Sequence, residues 1–90
     1  MQITGTVIEI FEPVKNTRTP KQEIGVEYME GTKKKVAKFT LKGELLNSEI
    51  TEGAKVEIEY ELDPWRNENK KQPEKPFYNH ELKVLSLNLI

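Results

Sequence analysis

The run "AKVEIEYEL" (Ala54 to Leu62) constrains this chain more than any other. Val56, Ile58, Tyr60 and Leu62 alternate with Glu57, Glu59 and Glu61. Period-two alternation belongs to a strand with one face in a core and the other in water. The triple glutamate on the outer face is read as a solubility device. The same period recurs upstream. "QEIGVEYM" sets Ile24, Val26 and Tyr28 against Glu23, Gly25 and Glu27, and "KVAKFTL" sets Ala37, Phe39 and Leu41 against Val36, Lys38 and Thr40. Between them "EGTK" has the composition of a tight hairpin turn.

Two further runs read as strands but slip phase. In "ITGTVIEIFE" (Ile3 to Glu12), Ile3 and Val7 share one face while Ile8 and Ile10 share the other. In the last run, from about Tyr78 to Leu89, Leu82 and Val84 oppose Leu85, Leu87 and Leu89. A slip beside a glycine such as Gly5 signals a bulge or sharp coil. The connections follow from turn residues. Glu12 to Lys21 holds Pro13, Asn16 and Pro20, and Asp63 to Asn79 holds Pro64, Pro73 and Pro76, so both are expected as loops. Leu45, Leu46 and Ile50 fit one side of a short helix or turn. No helix of ordinary length is visible. Ninety residues suit one domain, residues 1–90. The order predicts an all-β, five-stranded Greek-key barrel of the OB-fold type, with a short helix or turn between strands three and four. Its expected core is Val26, Tyr28, Phe39, Val56, Ile58 and Leu82.

The chemistry of catalysis is hard to assemble. There is no cysteine, one histidine (His80) and two serines (Ser48 and Ser86), without the spacing of a nucleophile and its base. No glycine-rich phosphate loop and no ligand cluster for a metal stands out. The expectation is a protein that is not an enzyme, with no metal, no cofactor and no small-molecule substrate. His80 reads as a surface strand residue. No apolar run approaches the roughly 20 residues that span a bilayer. "MQITGTVIEI" lacks the basic start and apolar block of a signal peptide. The expected location is cytoplasmic, away from membranes.

Binding is easier to assemble. The two long connections of such a barrel flank its ligand face. A flexible single strand needs cations that track phosphates and flat side chains on which bases stack. Trp65, Phe77 and Tyr78 supply flat surfaces. Arg66, Lys70 and Lys71 supply charge, joined by Lys15 and Arg18 from the first connection and Lys38 from the third strand. A plainer reading competes: Pro64 and Trp65 fold back as a lid over the barrel, Phe77 is buried, and the lysines merely solvate the loop. Lys33, Lys34 and Lys35 suit a solubilised, edge-protected hairpin tip. Glu23 and Glu27 would repel a phosphate chain. The net charge of −1 neither supports nor excludes a nucleic-acid partner.

"MQITGTVIEI", "KKVAKFTLKGELL", "EGAKVEIEYEL" and "FYNHELKVLSL" together resemble the single-stranded-DNA-binding-protein group of OB-folds, and more closely a family of short bacterial single-OB proteins. The resemblance spans nearly the whole chain and rests on strand patterns with a glycine, Gly53, before the fourth strand. It implies the fold more firmly than the function. Two departures stand out: Lys42 sits where related proteins often carry an aromatic after "FTL", and "SLNLI" is not the acidic, glycine-rich tail with which housekeeping members recruit other proteins. The resulting expectation is non-catalytic binding of single-stranded nucleic acid, DNA in preference to RNA, through the loops between strands one and two and four and five. The alternative is an OB-fold protein–protein interaction subunit without nucleic-acid binding. Apolar residues on both faces of the first and last strands further suggest a homodimer.

Overall fold

The computed structural model describes residues 1–15, 18–47 and 49–90. Five strands form: β1 (Gln2–Ile10), β2 (Lys21–Glu30), β3 (Lys33–Lys42), β4 (Lys55–Asn67) and β5 (Phe77–Leu89), with a 3-10 turn at Gly43–Asn47 between β3 and β4. They close into a barrel in the order β1-β2-β3-β5-β4. All neighbours are antiparallel except β3 and β5, which meet in parallel through the bridge Thr40–Lys83. This is the OB-fold expected from the strand pattern. The β2–β3 turn has Gly31 at φ 63° followed by Thr32 without a positive φ, the placement of a type II′ hairpin turn.

The alternating faces are realised in part: Gly25 and Thr40, expected to face outward, are buried, Thr40 where β3 meets β5. Val7, Ile24, Val26, Phe39, Leu41, Val56, Ile58 and Val84 are buried, and Tyr60 meets Phe39 edge-on with ring centroids 5.0 Å apart. Among the expected core residues, Val26, Phe39, Val56 and Ile58 are fully enclosed and Leu82 packs against them. Tyr28 is only half-buried. Its partner across β1 is Gly5, which offers no side chain to cover it, and Tyr28 instead lines an open groove with Thr4, Gly5 and Thr6.

Both phase slips are bulges. The β1–β2 register steps from Val7–Val26 to Glu9–Gly25, leaving Ile8 as the extra residue; beyond it, Ile10 packs on the core while Ile8 stays exposed. The β4–β5 register steps from Glu59–Ser86 to Tyr60–Val84, leaving Leu85 extra and exposed between inward Val84 and Leu87. An extra residue bends and twists a strand, which lets a small sheet close on itself. Gly5 lies at the tightest point. It pairs with Tyr28 of β2 and Val56 of β4 at once. A Cβ there would stand 2.6 Å from the Glu27 carbonyl oxygen and 2.7 Å from Val26 Cγ1. Only glycine fits such an approach without displacing backbone.

The Asp63–Asn79 segment departs from expectation. It is mostly strand, not loop. β4 and β5 each run 13 residues, and their register continues unbroken from Glu61–Lys83 to Asn67–Phe77. The connecting loop is confined to residues 68–76. Pairing of β1 with β4 ends where Met1 and Tyr60 exchange backbone hydrogen bonds of 2.9 and 2.8 Å. Past Tyr60, β4 has β5 as its sole strand partner among the described residues. The two therefore leave the barrel as a ribbon, consistent with overall extents of 46 × 33 × 19 Å. Pro64 is tolerated because β4 is an edge strand at that level. Leu62, expected to face the core, is half-exposed for the same reason.

The parallel seam has a charged clasp. Lys42, at the end of β3, pairs with Glu81 of β5, and both side chains are largely shielded, at 26% and 10% exposure. Two substitutions test these closures. Gly5→Ala is expected to cost about 1–3 kcal/mol in urea unfolding, the range for overpacking a filled site. An unchanged midpoint would mean that β1 does not approach β2 this closely. Glu81→Gln, which strips the charge from a shielded pair, is expected to cost about 1–2 kcal/mol; no loss in the same assay would show that the clasp adds nothing to closure.

Candidate functional site

Register assigns each ribbon side chain to a face, because directly opposed residues of an antiparallel pair point the same way. Asp63, Trp65 and Asn67 share the front face with Glu81, Asn79 and Phe77. Leu62, Pro64 and Arg66 share the back face with Leu82, His80 and Tyr78. The three aromatics expected to act together are thus divided: Trp65 and Phe77 stand in front, Tyr78 behind. All three are accessible, at 41%, 57% and 76% exposure respectively. Trp65 is therefore not a closed lid over the barrel, and Phe77 is not buried. Strand pairing holds the ribbon away from the core.

The front face looks onto the β1–β2 connection. Trp65, Asp63 and Glu81 line a cleft of about 490 Å³ with Arg18, Thr19, Lys21 and Lys42. Arg18 and Trp65, 47 positions apart in sequence, meet here. Lys15 lies elsewhere, in a neighbouring groove with Pro13, Val14, Pro20, Lys21, Gln22 and Leu46. Lys38 stands on the outer face of β3, where its ammonium lies 3.2 Å from a Glu23 carboxylate oxygen and 5.7 Å from the centre of the Phe11 ring. Lys70 and Lys71 are exposed on the ribbon loop. Asn69 pins that loop: its side-chain oxygen accepts from the Lys71 and Gln72 N–H groups at 3.2 Å, and its amide donates to the Lys75 carbonyl at 3.1 Å.

Charge divides the surface. On the β2–β3 hairpin, three lysines have carboxylate partners: Lys34 with Glu27 at 3.6 Å, Lys35 with Glu30 at 2.9 Å and Lys38 with Glu23; Lys33 forms no ion pair with a described residue. The Glu30 hydrogen bond, reinforced by its charge, raises the Lys35 pKa above the ordinary lysine value. Such exposed pairs stabilise little, but they cancel the local field. Glu23 and Glu27, expected to repel phosphate, act here mainly by neutralising adjacent lysines. By contrast Lys15, Arg18, Arg66, Lys70, Lys71 and Lys75 form no ion pair with a described residue. Positive charge therefore gathers on the β1–β2 connection, while on the ribbon Lys70, Lys71 and Lys75 stand among Glu68 and Glu74, which share a groove with Arg66 and Tyr78.

Sequence reasoning missed three residues here. Phe11 was read as part of a strand, yet it follows β1 and offers a half-open ring beside Lys38. Lys21 and Lys42 line the cleft as register partners at the ends of β2 and β3. The signal for Lys21 was its place at the close of the first connection; nothing local pointed to Lys42, whose role depends on Glu81.

No protein-family model matches this chain, and no curated protein matches it in sequence. Solved structures do match in fold. Two crystal structures of the mitochondrial single-stranded DNA binding protein Rim1 from S. cerevisiae, one of them selenomethionine-labelled, align over 100% of this chain and 92% of theirs. Their TM-scores are 0.69 and 0.68, at 16% and 17% identity. At that identity the likeness is one of fold, and it covers the whole OB barrel.

Proposed function

We infer that this chain is a non-catalytic module that binds single-stranded nucleic acid, DNA in preference to RNA, across the cleft between the β1–β2 connection and the β4–β5 ribbon. The observation that carries this reading is the meeting of accessible Trp65 with Arg18 in one cleft. OB-folds use these two connections to hold oligonucleotides. The Rim1 structures, whose protein is described as binding single-stranded DNA, share the fold over their near-full length. Trp65 and Phe77 offer faces for bases. Arg18 and Lys21 stand where a phosphate can pass, and Lys70 and Lys71 offer further cations on the loop, offset in part by Glu68 and Glu74. Asp63 remains in the cleft and weakens the field, whereas Glu81 is already held by Lys42. Lys38 can reach a phosphate only by leaving Glu23, and Lys15 serves a flanking position.

The second reading, a protein-interaction module, rests on apolar exposure. Leu85, Leu89 and Ile90 are 48%, 58% and 71% exposed near the end of the chain. A homodimer that covers them is compatible with either reading. Bulges account for much of the apolar pattern, however, since Ile10, Val84 and Leu87 turn inward.

Oligo-dT is expected to quench Trp65 fluorescence and to bind more tightly than duplex DNA of the same length. Trp65→Ala should weaken binding by about 1–3 kcal/mol, the usual range for a stacking side chain. Arg18→Ala should flatten the dependence of log affinity on log salt by about 0.7, one phosphate contact on a single strand. Folded protein that binds no oligonucleotide at low salt would remove this reading and leave the interaction module.

A further inference from the structure

The front cleft holds one charge that a phosphate track does not need. Asp63 and Glu81 are direct cross-strand partners, so two carboxylates stand side by side on one face. Lys42 engages Glu81. Asp63 has no such partner. No described ammonium or guanidinium lies within 4.0 Å of its carboxylate, although Arg18, Lys21 and Lys42 line the same cleft. Asp63 is half-buried there, two residues before Trp65 on the same face of β4. Along a strand that spacing sets their backbones roughly 7 Å apart. The cleft is also divided by wall. Its cations without an ion pair to a described residue, Arg18 and Lys21, come from the β1–β2 connection and the start of β2. The indole and the unpaired carboxylate come from the ribbon.

We propose that Asp63 reads the base that stacks on Trp65, and that the base it selects is guanine. The proposal rests on the single-strand reading above and names a preference within it. A strand whose phosphates follow Arg18 and Lys21 turns its bases to the opposite wall. There the indole takes a ring face and Asp63 meets the ring's edge. An ionised carboxylate only accepts hydrogen bonds. Among the four DNA bases, guanine alone presents two adjacent donors, N1–H and the N2 amino group, which match the two carboxylate oxygens. Cytosine and adenine place one amino group beside an acceptor nitrogen on that edge, and thymine places one N–H between two carbonyl oxygens. Each of these sets a lone pair against the carboxylate. Single-stranded bases, splayed from their neighbours, expose this edge. The contact also offsets the repulsion that Asp63 imposes on a passing phosphate, a cost that no ion pair with a described residue relieves.

The test uses oligo-dT of about 8 nucleotides, within the range for one OB domain, and the same oligonucleotide with a single central dG, dI, dA or dC. Affinities are read by fluorescence anisotropy on wild-type protein, Asp63→Ala and Asp63→Val, with folding checked by urea melts. Wild type should bind the dG oligonucleotide about 10-fold tighter than oligo-dT, within the range for a bidentate base contact. The dI version, which lacks the 2-amino group, should lose most of that gain. The dA and dC versions should stay within about threefold of oligo-dT, below the range of such a contact. Both substitutions should abolish the dG advantage and strengthen oligo-dT binding, because the repelling carboxylate is gone. A residue that merely supports the fold would not move the two in opposite directions. Equal affinity of wild type for the dG oligonucleotide and oligo-dT would overturn the proposal and leave the cleft reading intact. A dG advantage that survives both substitutions, or a dI oligonucleotide that matches dG, would overturn the Asp63 contact. Wild type that binds no oligonucleotide at low salt removes the single-strand reading and this one with it. Trp65 fluorescence that responds to a lysine-rich peptide and to no oligonucleotide would assign the carboxylate to a basic protein partner instead.

Discussion

The structure depends on a double pairing of β1. Around Gly5 and Thr6 a single strand holds β2 on one edge and β4 on the other. No side chain can stand at Gly5, because the Glu27 carbonyl and the Val26 side chain already occupy its place. The bulge at Ile8 then turns the strand and returns Ile10 to the core. Closure is completed across the barrel by the parallel bridge at Thr40 and the Lys42–Glu81 clasp. Burial of eight apolar side chains inside that ring supplies the main driving force.

The ribbon is a consequence of the same closure. β1 contributes nine residues and stops pairing at the level of Tyr60, while β4 and β5 run on for seven more register pairs past Tyr60. What emerges is a two-sided strip with no core to bury either face. Strand alternation then decides which side chains look toward the β1–β2 connection. Three hairpin lysines, Lys34, Lys35 and Lys38, have glutamate partners one strand away, whereas Lys33 and the ribbon and connection cations form no such ion pair with a described residue. The candidate site is thus a by-product of strand length, register and uneven charge pairing rather than of a local motif.

The barrel was legible in the sequence because period-two alternation reports burial directly. Val56 and Ile58 against Glu57 and Glu59 needed no tertiary knowledge, and the slips beside Gly5 and at Leu85 marked the two bulged strands. The ribbon was not legible. Pro64, Pro73 and Pro76 read as loop punctuation, and the rule that demotes proline from strands fails on an edge strand with one partner. The division of Trp65 from Tyr78 followed from that error, since faces have meaning only once the segment is known to be paired. The cleft was legible in part. Arg18 and Trp65 could be assigned to the two flanking connections, but the pairing of Lys38 with Glu23 and of Lys42 with Glu81 depends on cross-strand geometry that no local pattern encodes.

The central claim is that the cations of the β1–β2 connection and the accessible aromatics of the ribbon, not the lysine-rich hairpin, form the contact surface. Its most direct test is a nuclear magnetic resonance titration of the labelled protein with oligo-dT of about 8 nucleotides, following backbone amides and the Trp65 indole. The account predicts that the largest shift changes fall on Trp65, Phe77, Arg18 and Lys21, with little change at Lys34 and Lys35. Perturbations centred on the β2–β3 hairpin tip, with the Trp65 indole unmoved at saturation, would contradict it.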